Sequence, residues 1–171
     1  MSLSMYQASV PVFVQYLKGL SRVLDKAAPV VEARKIDQAV LLDTRLYPDM
    51  LPLARQVQIA SDNAKGCVAR LAGQEVPKYE DNEATLANLK ARIAKTVDYV
   101  QSVKREAIDG SADRTVVLPM RQGTMEFKGA DYLTTFALPN FFFHVTTAYD
   151  ILRHNGVELA KRDFMGTPVA A

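Results

Sequence analysis

"LANLKARIAKTVDYVQSV", residues 86–103, places Leu86, Leu89, Ile93, Val97, Val100 and Val103 at steps of three or four. A helix turns by about 100° per residue, so these side chains share one face. Charged and amide residues fill the positions between them. A stripe this sustained needs apolar surface to pack against, and the chain carries three more segments of the same kind. Val10, Phe13, Leu17, Leu20 and Leu24 form the first, with Pro11 near its start and an end expected near Ala27, before Pro29. Leu53, Val57, Ala60, Ala64, Val68 and Leu71 form another. That helix should begin around Asp49 or Leu51, with Pro52 in its first turn and Gly73 as its stop. The last runs from Tyr132 or Leu138 toward Leu159, and Pro139-Asn140 either interrupts it or begins it.

Between these segments the pattern changes. Residues 30–50 are less regular, with Lys35-Ile36-Asp37-Gln38 as a turn and Leu41, Leu42, Leu46 and Tyr47 as anchors. "QEVPKYEDN", residues 74–82, is a polar linker ending in Asn82, a candidate cap for the third long helix, which Asp109-Gly110 closes. "TVVL" at 115–118 and "TMEF" at 124–127 flank Arg121-Gln122-Gly123 and read as a short hairpin, limited by Pro119 to an edge. In the tail "KRDFMGTPVAA", Phe164 and Met165 can fold back onto the helices. Four long helices around one core predict an all-α four-helix bundle with long crossover connections and a small β-hairpin, one domain over residues 1–171.

Composition narrows the function classes. The 21 Lys and Arg are nearly balanced by 19 Asp and Glu, and no basic patch interleaved with aromatics suggests nucleic acid. The apolar runs are too short to span a bilayer, and the N-terminus lacks the layout of a signal peptide. The single cysteine, Cys67, allows no internal disulfide or zinc knuckle and reads as a small buried hydrophobe. A cytoplasmic protein is expected.

Candidate chemistry concentrates in "AYDILRHNGVEL", residues 148–159. Asp150, His154 and Glu158 lie four apart and make a polar ridge if Gly156 leaves the helix intact. A carboxylate and an imidazole at that spacing can share a divalent metal or form an acid–base pair; the same pattern also occurs on a plain solvated face. His144, amid Phe141, Phe142 and Phe143, points elsewhere and reads as a core or boundary histidine with one local hydrogen bond. Gln56 and Asn63 flank the alanine-rich face of the second helix, placed to meet a ligand or satisfy backbone.

"SMYQASVPVFVQYLKGLSRVLDKA" (4–27) and "LTTFALPNFFFHVTTAYDILRHNGVEL" (133–159) resemble an uncharacterised bacterial family, domain of unknown function nineteen-ninety-three. That family is similar in fold to the DinB/YfiT-like metalloenzymes. The resemblance implies a four-helix bundle, often a homodimer, with a divalent metal such as zinc or nickel held by three histidines. Some members of that superfamily are thiol transferases acting on bacillithiol or mycothiol, or maleylpyruvate isomerases. Here His154, in His154-Asn155-Gly156, matches one position of the superfamily's paired histidines. Asp150 takes the other position, and the ligand position on the second helix falls at Ile59 or Ala60, with Asp62 close by. The resemblance therefore makes Asp62, Asp150 and His154 the metal candidates, in a pocket between the second and fourth long helices. Two functions are expected: a degenerate metal-dependent or thiol-transferase-like enzyme acting on a small molecule, or a metal-free binding or dimerisation module.

Overall fold

The computed structural model describes residues 3–120 and 122–166. Arg121 of the hairpin turn and the end of the tail, residues 167–171, lie outside the described residues. The chain is mostly helical with one two-stranded antiparallel sheet. Its elements are α1 (Val10–Ala33), α2 (Gln38–Leu42), α3 (Leu53–Ala72), α4 (Leu86–Ser102), α5 (Arg105–Asp109), β1 (Thr115–Pro119), β2 (Thr124–Lys128), α6 (Gly129–Asp131), a π-helical segment (Tyr132–Ala137), α7 (Leu138–His154) and α8 (Lys161–Met165).

Each long helix packs along two others: α1 against α4 and α7, and α3 against α4 and α7. The stripes supply the contact surface, and Phe13, Leu17, Leu24, Leu53, Val57, Leu71, Leu89, Phe141 and Ile151 are fully buried. Phe13 and Phe141 meet edge to face with ring centroids 4.9 Å apart, joining α1 to α7. The tail folds back as expected: α8 lies on α1, Phe164 contacts Tyr16 and Tyr149, and Lys26 pairs with Asp163.

Several boundaries differ from those read in the sequence, each for a local reason. Helix α1 continues past Ala27 through Pro29 to Ala33. Pro29 lies on the exposed face, where water can serve the carbonyl it leaves unpaired, and Val31 carries the buried stripe onward. Residues 38–42 coil into α2, capped by the Asp37 carboxylate accepting from Ala39 N–H at 2.9 Å. Leu41 and Leu42 are buried, but Leu46 and Tyr47 are exposed and do not anchor the connection. The cap of α4 is Thr85, whose hydroxyl accepts from Asn88 N–H at 3.1 Å, in place of Asn82. That helix stops at Ser102, because Val103 turns to extended backbone, and the stretch to Asp109 forms the separate α5.

The entry to α7 is continuous. Leu138 N–H reaches the Leu133 carbonyl five residues back, a π register immediately before Pro139. The wider turn makes room for a ring that an unbroken α-helix would crowd. At the other end Gly156 adopts φ +86°, and Val157 N–H bonds the Leu152 carbonyl at 3.1 Å. This left-handed stop places Glu158 outside the helix, so the expected ridge ends at His154. The expected hairpin forms, with Val116 opposite Phe127 and Pro119 opposite Thr124. No helix among the described residues is long and apolar enough to cross a membrane.

Candidate functional site

The three metal candidates point to different parts of the molecule. Asp150 lines a small recess of about 170 Å³ with Thr146, Tyr149, Lys161 and Phe164, facing α8. Partial burial there raises its carboxyl pKa above the ordinary range. His154, the last residue of α7, is exposed, beside the segment where the Arg34 guanidinium approaches Asn155 and Gly156. No side-chain hydrogen bond or ion pair joins Asp150 to His154 among the described residues. Asp62 lies on the α4 side of α3, where its carboxylate accepts from Arg92 Nη2 at 2.8 Å and pairs with Lys65 Nζ at 2.9 Å. Ile59 and Ala60 carry no donor atoms on their side chains. Among the described residues, no group of three or more His, Cys, Asp or Glu side chains is arranged to hold a metal ion. The donor set therefore does not fit the three-histidine site that the resemblance implies.

His144 is buried, with one hydrogen bond that crosses helices instead of being local. Its Nδ1 lies 2.7 Å from Gln56 Oε1, while Gln56 Nε2 donates to the Leu51 carbonyl at 2.8 Å. That second bond orients the amide with its oxygen toward the imidazole. An amide oxygen only accepts, so Nδ1 carries the hydrogen and Nε2 keeps its lone pair. Burial lowers the imidazole pKa, which favours the neutral ring. Cys67 is fully buried and desolvation raises its thiol pKa, which disfavours the thiolate form that a nucleophile uses.

The densest polar constellation lies elsewhere, where the linker over residues 74–85 crosses α3 and α4. Arg92 sits within the apolar stripe of α4, its side chain only 2% exposed. Its Nη1 donates to Glu83 Oε1 at 2.9 Å and to the Glu80 carbonyl at 3.0 Å, and lies 3.1 Å from Asp81 Oδ1; Nη2 serves Asp62. Its Nε–H is buried with no protein acceptor. Around this hub, Arg55 binds Asp81 and donates to Gln58 Oε1 at 2.7 Å, and Gln58 Nε2 donates to Glu83 Oε2 at 2.8 Å. Tyr79 is set among cations: the Lys95 ammonium is 4.2 Å from the ring centroid, that of Lys65 4.7 Å, and the Arg92 guanidinium carbon 5.4 Å. Beside this network opens a recess of about 690 Å³, lined by Lys78, Tyr79, Glu83, Asn88, Arg92 and Lys95 among others.

Such a recess is large enough for a small molecule, and the Arg92 network holds one of its walls in place. Asp62 is the one metal candidate that takes part. Gln58, an amide of the same polar run on the second long helix, also takes part, and a charged residue within a buried stripe, Arg92 between Leu89 and Ile93, is a further signal readable in the sequence.

The overall fold is shared with a solved relative. The crystal structure of a DinB family member protein from Shewanella denitrificans, at 1.83 Å resolution, superposes with a TM-score of 0.88. The two chains are 43% identical, and the match covers 97% of this chain and 94% of that one. The molecule is thus a DinB-like helical protein. Residues 5–165 match the family described as domain of unknown function DUF1993, and the chain belongs to that family. No curated protein matches the chain.

Proposed function

We propose that this DinB-like protein is a four-helix bundle working as a metal-free binding module, with the recess beside Arg92 as its ligand face. The cyclic packing of α1, α4, α3 and α7 supports the bundle. The observation that carries the function is the separation of the three candidate ligands. Asp62 is held by two cations toward α4, Asp150 faces α8, and His154 is exposed at the end of α7. A catalytic metal site needs three convergent protein ligands and an open position. By contrast, the Arg92 network is preorganised, and preorganised polar walls beside an open cavity favour binding.

The experiment is elemental analysis of protein purified without an affinity tag, alongside the His154→Ala variant. Substoichiometric zinc and nickel in both is expected. Stoichiometric metal in the parent protein that disappears in His154→Ala would overturn the metal-free reading. Homodimer assembly is also proposed, supported by Phe143, 56% exposed, and Leu51, 43% exposed. The backbone of Leu51 is tied through Gln56 to His144, the chain neighbour of Phe143. Light scattering at high micromolar concentration should give twice the monomer mass, and monomer alone would count against it.

A further inference from the structure

We infer that the recess beside Arg92 takes a small organic anion, a carboxylate or a phosphate monoester, held first by Lys78 and Lys95. This rests on the recess being the ligand face, and it follows from which charges the protein leaves uncommitted. Three of the carboxylates around the recess are engaged by protein donors. Asp62 is taken by Lys65 and Arg92, Asp81 by Arg55 and Arg92, and Glu83 by Arg92 and Gln58. The Glu80 carboxylate accepts from the Asn82 amide at 3.2 Å, and its backbone carbonyl is occupied by Arg92. A cationic ligand would therefore compete with bonds already made.

The donors are in the opposite position. Among the described residues, neither Lys78 nor Lys95 has a carboxylate within ion-pair distance, and both line the recess. Asn88 uses its Oδ1 to accept from Ala84 N–H at 3.3 Å, which turns its NH₂ donors to other use at the same wall. Arg92, 2% exposed, holds a buried Nε–H without an acceptor. A buried donor left unpaired costs about 1–3 kcal/mol and is rare enough in folded proteins to call for a reason. Two ammonium groups without a carboxylate partner and an amide donor form a wall short of acceptors, with the buried Arg92 guanidinium and its unpaired Nε–H behind it. An oxyanion brings two or three acceptors on one centre, and charge-assisted bonds to it are the stronger kind. Tyr79 lines the recess beside Lys95 and Arg92 and supplies an aromatic wall for the organic part of the ligand.

The test is a titration of the whole protein followed by ¹H–¹⁵N NMR, reading the backbone amides of residues 78–83 and the Arg92 Nε–H. The probes are inorganic phosphate, benzoate and, as a cation, putrescine, each against sodium chloride at matched ionic strength. Phosphate and benzoate separate the two sources of an oxyanion. Saturable shifts with at least one of them are expected, weakened by about tenfold in a Lys78→Gln/Lys95→Gln double variant, whose changes fall on exposed side chains. Shifts that chloride reproduces, or that the double variant leaves unaltered, would overturn the inference. If putrescine saturates the recess and the anions do not, the anion class falls while the ligand face stands. If none of the three moves these resonances, both fall.

Discussion

Helix α3 meets α7 on one side and α4 on the other, and the two contacts are built on different physics. Against α7 the packing is apolar, with Val57, Phe141, Val145, Ala148 and Ile151 all buried in the core and one cross-helix polar bond, Gln56 to His144. Toward α4 the same helix presents Asp62, shared between Lys65 and Arg92, and the linker over residues 74–85 closes the charged network. Burial of apolar area is tolerant of detail and contributes most of the stability. A buried guanidinium is stable only if nearly every donor finds an acceptor, so the network fixes the path of the linker. One side of α3 packs the core, and the other anchors the charged network beside which the linker and α4 form the recess.

The largest expected effect tests the apolar half. Leu17 and Leu89 are completely buried, one on α1 and one on α4. Leu17→Ala or Leu89→Ala should each cost about 2–5 kcal/mol in urea unfolding, through lost transfer energy and an unfilled cavity. A cost below about 1 kcal/mol would mean that these stripes are not the core.

Arg92→Met is expected to cost less, about 1–3 kcal/mol. It keeps the aliphatic stem in the stripe and removes the orphaned Nε–H, but leaves Glu83, only 8% exposed, with Gln58 as its remaining partner. Asp62 and Asp81 are far more exposed, so water replaces most of what they lose. The more specific outcome is local: protease cleavage within residues 74–85 should accelerate in Arg92→Met and stay unchanged in Leu89→Ala at matched global stability. Equal cleavage in the two variants would remove the distinction between the halves.

How far this division could be read in the sequence depends on the range of the interaction. The four stripes were legible because a buried face repeats every three or four residues, and each stripe reports on itself. The hairpin was legible for the same local reason. Pro29 misled because proline breaks helices only where its missing hydrogen bond cannot be replaced, and exposure at that position is a tertiary fact. Thr85 and Asn82 are both good caps, and the choice between them is settled by where the linker is pinned through Asp81 and Glu83. The recess itself was illegible. The bonds of Arg92 that frame it join residues 9 to 30 positions apart, from Arg92–Glu83 to Arg92–Asp62, and no periodicity encodes them. Asp150 and His154 posed the reverse problem. Their spacing was correct, but spacing on one helix cannot show which neighbour the turn faces, and α8 is there instead of α3.

The single polar bond on the apolar side gives a pH signature. Burial holds the His144 imidazole pKa below its ordinary value of 6.5, so the unfolded chain takes up a proton more readily than the folded one. The contribution to stability is full above that ordinary value. It is lost progressively as pH falls toward the depressed folded value, and is constant below it. In a His144→Gln variant this component disappears, because the side chain does not titrate while an amide can still meet Gln56. The fall in melting temperature between pH 7.5 and pH 5.5 should therefore be smaller in His144→Gln than in the parent protein. An equal fall in both would show that His144 is not buried as the neutral ring.

The smallest effects are expected where the sequence pointed most strongly, in the last two turns of α7. His154 is exposed and makes no hydrogen bond among the described residues, so His154→Ala should change stability by no more than about 0.5 kcal/mol. Asp150 differs from it by partial burial beside Phe164, which raises its carboxyl pKa. A carboxylate whose folded pKa lies above its unfolded value burdens the folded state at neutral pH. The burden is relieved as pH drops through the folded value toward the unfolded one near 3.8. Asp150→Asn should accordingly raise the melting temperature slightly at pH 7, and the gain should shrink as pH falls through the raised folded value and vanish below 3.8, where the parent carboxyl is protonated in both states. If Asp150 instead worked with His154 on a shared ion, both substitutions would destabilise the metal-loaded protein together, and a double-mutant cycle would show coupling well beyond about 0.5 kcal/mol. Additivity within that margin is expected, because one side chain faces α8 and the other faces solvent.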